Sequence, residues 1–260
     1  MIMGKLDRRV AIVTGASSGV GRGCALRYAC EGASVIACAR RVERMMELAK
    51  EAEEKGYSGK IIPVSCDIAK EEDLDSVVKA AIDNFGRIDI LACIAQGGMD
   101  ILTSVETTSA EGARILFDQG PVYTMQMIQK CLPYMKAAHY GRIITCASAA
   151  GVQAVDNTVP YGMAKAAIIS LTRSAAKELG QYGITTNCFL PVIKSEALPA
   201  GLDATSKEQQ DAYVAAMIPL KYLGTAFEDC APALVFMASE EARYFNGQIV
   251  GVDGGLVSLV

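Results

Sequence analysis

The chain has 260 residues, of which 51% are hydrophobic, and its formal net charge is −4. No Pro/Gly/Ser-rich linker or break in composition divides it, so a single domain over residues 1–260 is expected. The small negative charge gives no electrostatic basis for binding nucleic acid. The sequence lacks both an apolar signal segment and a run of about 18 apolar residues, which predicts a cytoplasmic protein without a membrane span.

Nine cysteines are spread along the chain, none in a Cys-x-x-Cys pair and none near the single histidine, His139. This spacing argues against a zinc site. It is typical of a protein from a reducing compartment. Five of the nine lie in or beside predicted strands and are expected to pack as small hydrophobic groups: Cys38, Cys66, Cys93, Cys146 and Cys188.

The first predicted strand, Val10–Val13, leads into the glycine-rich segment Thr14–Gly21 and then into a helix. This context predicts a dinucleotide site, although a plain βα turn with several glycines is the alternative. Gly15 permits the tight turn, and Gly19 leaves room for a pyrophosphate at the helix N-terminus. Gly21 lets the helix pack closely against the sheet.

Apolar, β-prone runs recur at residues 9–13, 34–38, 61–65, 89–95, 142–147, 185–190 and 248–252. Helical patterns lie between them, most clearly from Leu74 to Phe85, where apolar residues follow the helical period. The alternation predicts an α/β fold, a doubly wound Rossmann-type sheet of seven parallel strands with helices on both faces. Because ligands bind outside the carboxyl ends of such strands, the segments that follow them should meet on one rim.

A tyrosine and a lysine, Tyr161 and Lys165, are four residues apart and share one face of a predicted helix. A phenol has a reference pKa of about 10, and a nearby ammonium group favours the phenolate. Ser148, thirteen positions before Tyr161 at a strand end, can bring a hydroxyl to the pair. Such a set can pass a proton to or from an alcohol or carbonyl oxygen.

Taken together, these motifs resemble the short-chain dehydrogenase/reductase family in its single-domain branch. The resemblance covers nearly the whole chain and rests on Thr14–Gly21, Asp67-Ile68, Ser148, Tyr161, Lys165, Asn187, Pro191, Asn246-Gly247-Gln248 and Asp253-Gly254-Gly255. It implies a nicotinamide cofactor and oxidoreductase activity on CH–OH groups. It also implies that residues 192–222 form a lid over the substrate, for which an ordinary surface insertion is the alternative.

The resemblance assigns the cofactor to a defined set of positions. Asp67 is expected to meet the adenine amino group, and Ile68 to flank the adenine ring. The remaining assigned contacts are Gly15, Ser17, Ser18, Gly19, Val20, Gly21, Arg40, Arg41, Ala95, Tyr161, Lys165, Pro191, Ile193 and Lys194.

The end of the second strand favours NADP(H) over NAD(H). An NAD site usually places an acid there to bind the ribose 2′-OH, and Ala39 occupies that position by family register. Arg40, followed by Arg41, can bind a 2′-phosphate through charge-assisted bonds. Ser18 is not basic, so a second phosphate contact common in the family is missing. The alternative is that both arginines are solvated charges that open the next helix.

The chain departs from the family pattern around the expected cofactor site. The family's Asn-Asn-Ala-Gly after the fourth strand is replaced by Cys93-Ile94-Ala95-Gln96, and Gln119 stands where an Asn would position a proton-relay water. The Pro-Gly pair after the sixth strand reads Pro191-Val192. Lys194 replaces an apolar residue, and Glu196 replaces the usual Thr near the nicotinamide amide.

Two hypotheses follow from these departures. In the first, which the complete set of Ser148, Tyr161 and Lys165 favours, the chain is an active enzyme in which Gln96, Gln119 and Lys194 replace the lost bonds. In the second, it is an NADP(H)-binding sensor or partner protein with weak or no turnover.

The family mechanism implies hydride transfer between the nicotinamide and a carbonyl or carbinol carbon. Tyr161 would exchange the proton, and Ser148 would hydrogen-bond the oxygen. Lys165 would tune Tyr161 and hold the cofactor ribose, while Gln119 would hold the relay water.

The residues expected around the cleft are mostly small or apolar: residues 149–155, Met99, Ile101, Leu198 and Met217. They favour a hydrophobic, alicyclic substrate, such as a steroid-like or polyphenol ketone. An oxoacyl-thioester reductase is the alternative. Against it, His139 and Tyr182 stand where carrier-protein reductases of the family have two basic residues.

A homotetramer or homodimer is expected, because two predicted helices, near residues 109–136 and 158–180, are apolar on more than one face. The residues concerned are Met125, Met127, Ile128, Leu132, Ile168, Ile169 and Leu171. The C-terminal residues 256–260 offer a second apolar contact.

Overall fold

A computed structural model of the protein describes residues 4–194, 209, 212 and 215–257. Within these residues, seven parallel strands form one sheet in the order β3-β2-β1-β4-β5-β6-β7. The strands are β1 (Val10–Thr14), β2 (Ser34–Ala39), β3 (Ile61–Ser65), β4 (Ile90–Cys93), β5 (Gly141–Cys146), β6 (Ile184–Pro191) and β7 (Ile249–Val252). The seven predicted runs are confirmed as strands, and the parallel pairing is confirmed with them.

Helices connect the strands and cover the sheet. They are α1 (Gly19–Cys30), α2 (Val42–Glu54), α3 (Glu71–Phe85), α4 (Ala110–Phe117), α5 (Tyr123–Ala138), α6 (Val159–Leu179) and α7 (Ala231–Ala238). The helical pattern predicted from Leu74 to Phe85 is confirmed as α3, whose apolar positions Leu74, Val77, Val78 and Ala81 are buried.

Strand β1 shows why both faces of the sheet need helices. Ala11 and Val13 lie in a buried cluster with α1, α2 and α7. Val10 and Ile12 point the other way, into a cluster with α3, α5 and the end of α6. Since successive side chains of a strand point to opposite faces, a strand that is apolar throughout must be covered on both sides.

The order of the strands determines where a ligand can bind. β1 pairs with β2 on one side and with β4 on the other, so the chain winds outward in two directions from β1. A crevice forms at such a switch point, outside the carboxyl ends of the strands. The segments that follow β1, β3, β4, β5 and β6 therefore share one rim.

Eight of the nine cysteines are buried, and Cys30 is partly buried. Burial raises the pKa of Cys131 to about 12 and that of Cys146 to about 11. The expectation that the strand cysteines pack as small hydrophobic groups is confirmed. No helix in the described part of the chain combines the length and apolarity that a membrane crossing requires.

Candidate active site

The glycine-rich loop joins β1 to α1 at the switch point. A Cβ on Gly21 would lie 2.2 Å from the carbonyl oxygen of Gly15, so the loop can fold back on α1 only with glycine there. Ser18 is extended, and α1 begins at Gly19 without a side-chain cap or an acidic residue in its first turn. The free N–H groups of that turn suit an anion such as a pyrophosphate.

Arg41, rather than Arg40, reaches this loop. Its Nη2 lies 3.0 Å from Oγ of Ser17 and 3.3 Å from Oγ of Ser18. The side chain of Arg40 is exposed at the end of β2. Arg41 therefore places a positive charge beside Ser17 and Ser18, in a loop that has no basic residue of its own. The sequence did not indicate this contact.

Asp67 and Ile68 follow β3 on the same rim. Oδ1 of Asp67 accepts a hydrogen bond from the N–H of Ala69 at 3.1 Å, and the N–H of Asp67 donates to Oδ2 of Asp73 at 2.8 Å. Ile68 packs against the cluster beneath α3 and α5. These bonds hold the segment in a turn that leaves Asp67 partly exposed at the rim.

Two hydroxyls support the end of β4, where the family's paired asparagines are missing. Oγ1 of Thr14 accepts hydrogen bonds from the N–H groups of Ile94 at 2.9 Å and Ala95 at 3.1 Å. The hydroxyl of Tyr123, which is buried, donates to the carbonyl oxygen of Ala95 at 2.7 Å. Burial also raises the pKa of Tyr123 well above its ordinary value, which keeps the phenol protonated.

Nε2 of Gln96 donates to the carbonyl oxygens of Gly97 at 2.9 Å and Gln119 at 3.2 Å, so it bonds the segment after β4 to the turn between α4 and α5. Tyr123 is not among the site residues predicted from the sequence. One signal is available in the sequence. Tyr123 begins an apolar helix, where it is expected to be buried, and a buried tyrosine hydroxyl usually has a hydrogen-bond partner. Gln119 lies in the turn between α4 and α5, where its carbonyl oxygen accepts from the N–H of Gly97 at 3.2 Å.

Tyr161 and Lys165 lie one turn apart near the start of α6. Lys165 is only 2% exposed, and its Nζ lies 5.5 Å from the centroid of the Tyr161 ring. The same nitrogen donates to the carbonyl oxygen of Cys146, at the end of β5, at 2.9 Å. An ammonium group has three donors, so two remain for other partners.

Ser148 follows β5 and is brought to α6 by a short turn. Its Oγ accepts a hydrogen bond from the N–H of Ala150 at 3.3 Å. The turn Ala149–Gly151 packs on α6, and a Cβ on Gly151 would lie 2.8 Å from the carbonyl carbon of Lys165. Glycine at this position thus allows the turn to bring Ser148 to the helix that carries Tyr161 and Lys165.

The segment after β6 completes the rim. The N–H of Val192 donates to the carbonyl oxygen of Val252 at 3.0 Å, and Ile193 pairs with Gly224. The N–H of Lys194 donates to the same glycine at 2.7 Å, and its side chain is exposed. Glu196, Leu198 and most of the predicted lid at 192–222 lie outside the described residues.

Two other residues on which the family resemblance rests, Asn187 and Asp253, make hydrogen bonds that stabilise the fold. Asn187 donates through Nδ2 to the carbonyl oxygen of Phe245 at 2.8 Å and accepts from the N–H of Gln248 at 3.0 Å. The carboxylate of Asp253 accepts from the N–H groups of Gly255 and Val257, each at 2.9 Å. These bonds tie the C-terminal segment to β6 and shape the loop after β7.

The chain is similar in sequence to known proteins over almost its whole length. The sequence pattern of the family described as "Enoyl-(Acyl carrier protein) reductase" matches residues 15–257. The chain is 31% identical to the 3-oxoacyl-[acyl-carrier-protein] reductase FabG of Thermotoga maritima, covering 97% of this chain and 99% of that protein. It is 32% identical to the cyclohexanol dehydrogenase of a Rhodococcus species, covering 96% of this chain and 97% of that protein.

A solved structure shows the same fold. The NADPH-dependent reductase YwfH, involved in bacilysin biosynthesis, superposes with a TM-score of 0.89 at 25% identity, covering 97% of this chain and 99% of that one. The rim, the glycine-rich loop and the Tyr161–Lys165 helix thus stand in a fold shared with reductases and dehydrogenases. The chain belongs to the short-chain dehydrogenase/reductase family and is an oxidoreductase of the NAD(P)-dependent kind that acts on alcohols and ketones.

Proposed function

We propose that the protein interconverts a ketone and a secondary alcohol on a hydrophobic, alicyclic substrate, with NADP(H) as its cofactor. The observation that carries this proposal is the buried Lys165, which lies beneath the ring of Tyr161 on a helix contacted by the turn after Ser148. Burial of an ammonium group is costly unless hydrogen-bond acceptors or opposite charges surround it. Here it has one carbonyl partner and two donors to spare.

The residues at the switch point fit a dinucleotide with a 2′-phosphate. The N-terminus of α1 offers N–H groups to the pyrophosphate, and Ser17, Ser18 and Arg41 form a polar, cationic corner beside it. Ala39, at the end of β2, has no carboxylate to repel a third phosphate. When bound, the cofactor supplies the hydride, and the protein supplies placement and proton transfer.

Arg40 and Arg41 are expected to make the protein bind NADPH more tightly than NADH. We expect R40A and R41A each to raise the Kd of NADPH about tenfold, since a hydrogen bond to a charged group is worth about 1.5–3 kcal/mol. The Kd of NADH should stay within about twofold because it lacks the 2′-phosphate. Fluorescence titration measures both constants, with R173A, an exposed arginine on α6, as the matched control. Equal affinities of the unmutated protein for NADPH and NADH would contradict the assignment.

In the proposed mechanism each side chain acts at the substrate oxygen or close to it. The phenol of Tyr161 gives a proton to the carbonyl oxygen during reduction and takes it back during oxidation. The hydroxyl of Ser148 donates to that oxygen and stabilises its developing charge. Lys165 keeps a positive charge beside the phenol and offers its remaining donors to the cofactor ribose. Gln119 is assigned to the relay water.

Exposed apolar side chains support a hydrophobic substrate. Val152 and Val155, in the segment after Ser148, are each 43% exposed, and Met99 and Met217 are exposed as well. Apolar surface that stays open on a monomer is often a binding surface. The similarity to a cyclohexanol dehydrogenase supports a ring-shaped alcohol or ketone.

An oxoacyl-thioester substrate is the second candidate, and it is favoured by the similarity to the Thermotoga reductase. The surface at Tyr182 also carries a cation, since Nζ of Lys136 lies 4.4 Å from the centroid of that ring. A panel of steroid, alicyclic, polyphenol and acyl ketones, followed by loss of NADPH absorbance, distinguishes the two candidates. Tight NADPH binding with no turnover on any of them would instead favour a sensor.

We also propose that the protein is a homotetramer or homodimer, although the residues that support it are fewer than expected. Met127, Ile128, Ile168 and Ile169 are buried within the chain itself. The apolar side chains left exposed on α5 and α6 are Met125, Tyr134 and Met163, and residues 258–260 of the C-terminal contact lie outside the described residues.

Light scattering tests the assembly directly. At micromolar concentration the mass should be two or four times 27.5 kDa. M125E should lower it by placing a charge on the apolar surface, whereas the same change at Met46, an exposed residue of α2, should not. A mass of one chain in the unmutated protein would refute the proposal.

A further inference from the structure

Two Gln-Gly pairs, Gln96-Gly97 after β4 and Gln119-Gly120 between α4 and α5, interlock beside the candidate active site. Nε2 of Gln96 donates to the carbonyl oxygens of Gly97 at 2.9 Å and Gln119 at 3.2 Å, with that of Leu116 at 3.4 Å. The N–H of Gly97 donates to the carbonyl oxygen of Gln119 at 3.2 Å. We call these four residues the glutamine clasp.

Each glutamine side chain in the clasp lies over the glycine of the other pair. A Cβ on Gly97 would lie 1.8 Å from Oε1 of Gln119, and a Cβ on Gly120 would lie 2.9 Å from Oε1 of Gln96. Because carbonyl oxygens surround Nε2 of Gln96, the orientation of its amide is determined by its partners. The two glycines therefore provide the space that the two amides occupy.

Gln96 contacts a part of the chain whose backbone is not regularly helical. α4 and α5 meet in a wide, π-type turn, Asp118–Val122, in which Gln119 has the non-helical angles φ −93° and ψ 19°. Pro121 has no N–H, so this turn cannot complete the backbone bonding of a regular helix. Gln96 offers the carbonyl groups of this region a side-chain donor, which stabilises the irregular geometry.

This turn and α4 both pack against α6, the helix of Tyr161 and Lys165. At its other end the clasp continues into Ala95, which is bonded to Thr14 beside the glycine-rich loop and to Tyr123 at the start of α5. Hydrogen bonds thus connect the loop after β1, the end of β4 and the turn that supports α6. Two residues of the clasp, Gln96 and Gln119, stand at positions where the chain departs from the family pattern.

We infer that Gln96 is a positioning residue, which holds the turn Asp118–Val122 against α6 and so keeps Tyr161 and Lys165 in place. The catalytic consequence rests on the function proposed above. The structural consequence does not, because every contact of the clasp is made between residues of the chain itself.

Hydrogen exchange of the cofactor-free protein tests the structural part. Q96M keeps the length of the side chain but removes its donor, so amides of residues 113–125 and 159–166 should exchange about tenfold faster than in the unmutated protein. Q129M makes the same change on the exposed face of α5 and should leave both regions unchanged. Unaltered exchange in 159–166 of Q96M would overturn the inference.

A double-mutant cycle tests the contact between Gln96 and Gly120. G120A should lower the Tm of the unmutated protein by about 3 °C, because the new Cβ meets the Gln96 amide. In the Q96A background the same change should be neutral or stabilising, since the amide is gone and alanine favours a helix more than glycine. If the changes in Tm caused by Q96A and G120A are additive, Gln96 and Gly120 are not in contact and the inference is wrong.

Measuring kcat then tests whether Gln96 positions Tyr161 and Lys165 for catalysis or only stabilises the fold. With a ketone that the unmutated protein reduces, Q96M should lower kcat about tenfold and leave the Kd of NADPH within about twofold. Faster exchange with unchanged kcat would overturn the positioning role. If the unmutated protein reduces no ketone, the proposed function fails, while exchange in 159–166 still decides whether Gln96 holds the turn.

Discussion

Replacing Tyr161 with phenylalanine is expected to lower kcat for carbonyl reduction by about 10²–10⁴-fold, the range that a positioned acid contributes. The substitution removes one oxygen and keeps the ring that lies above Nζ of Lys165. The affinity for NADPH should change by less than about twofold, since the glycine-rich loop and the arginines are untouched. Stopped-flow or steady-state absorbance gives kcat, and fluorescence titration gives the Kd.

The matched control is Y134F, which removes the hydroxyl of a tyrosine that is 39% exposed on α5. This variant should keep both constants. Y161F with a kcat close to that of the unmutated protein would contradict the proton-transfer role, and another group would then have to protonate the substrate oxygen.

Replacing Lys165 with methionine is expected to damage both catalysis and cofactor binding. Methionine fills most of the volume of the buried stem but removes the charge and the donors of Nζ. We expect kcat to fall by about 10²-fold or more, because the phenol loses its neighbouring positive charge. The Kd of NADPH should rise about tenfold, which corresponds to about 1.4 kcal/mol for a lost ribose contact.

Lys177, which is exposed in the last turn of α6, provides the control. K177M should change neither constant, because its charge lies far along the helix from Tyr161. If K165M loses turnover but binds NADPH normally, the assignment of Lys165 to the ribose is wrong, and its role is confined to the phenol. The loss of the bond to the carbonyl oxygen of Cys146 should also lower the Tm, which differential scanning calorimetry can measure.

Much of the fold could be predicted because its signals are local. The strand Val10–Thr14 is apolar at nearly every position, as a strand covered on both faces must be, and all of it is buried. The strand-glycine-helix order around Gly15–Gly21 is contained in about twenty consecutive residues. Tyr161 and Lys165 are one helical turn apart in the sequence, so their shared face follows from the period of the helix alone.

The contacts around the candidate site depended on the tertiary structure, because their partners are distant in the chain. Tyr123 bonds to Ala95, and Arg41 to Ser17 and Ser18, across separations that leave no periodic pattern in the sequence. In the sequence, Tyr123 has the appearance of an ordinary helix residue, and Arg41 is assigned to the cofactor with no indication that it contacts Ser17 and Ser18.

The sequence alone determined the order of the elements, the parallel sheet and the shared face of Tyr161 and Lys165. The first two follow from the alternation of strand and helix patterns along the chain, and the third from the period of the helix. Only the tertiary structure decided which side chains bond to the segment after β4. That choice depends on packing between β4, α5 and the turn at Gln119, where the amide of Gln96 fits because Gly120 has no side chain. Likewise, Met127 and Ile168 look like interface residues in a helical pattern, yet the chain buries them in its own core because α5 and α6 pack on the sheet.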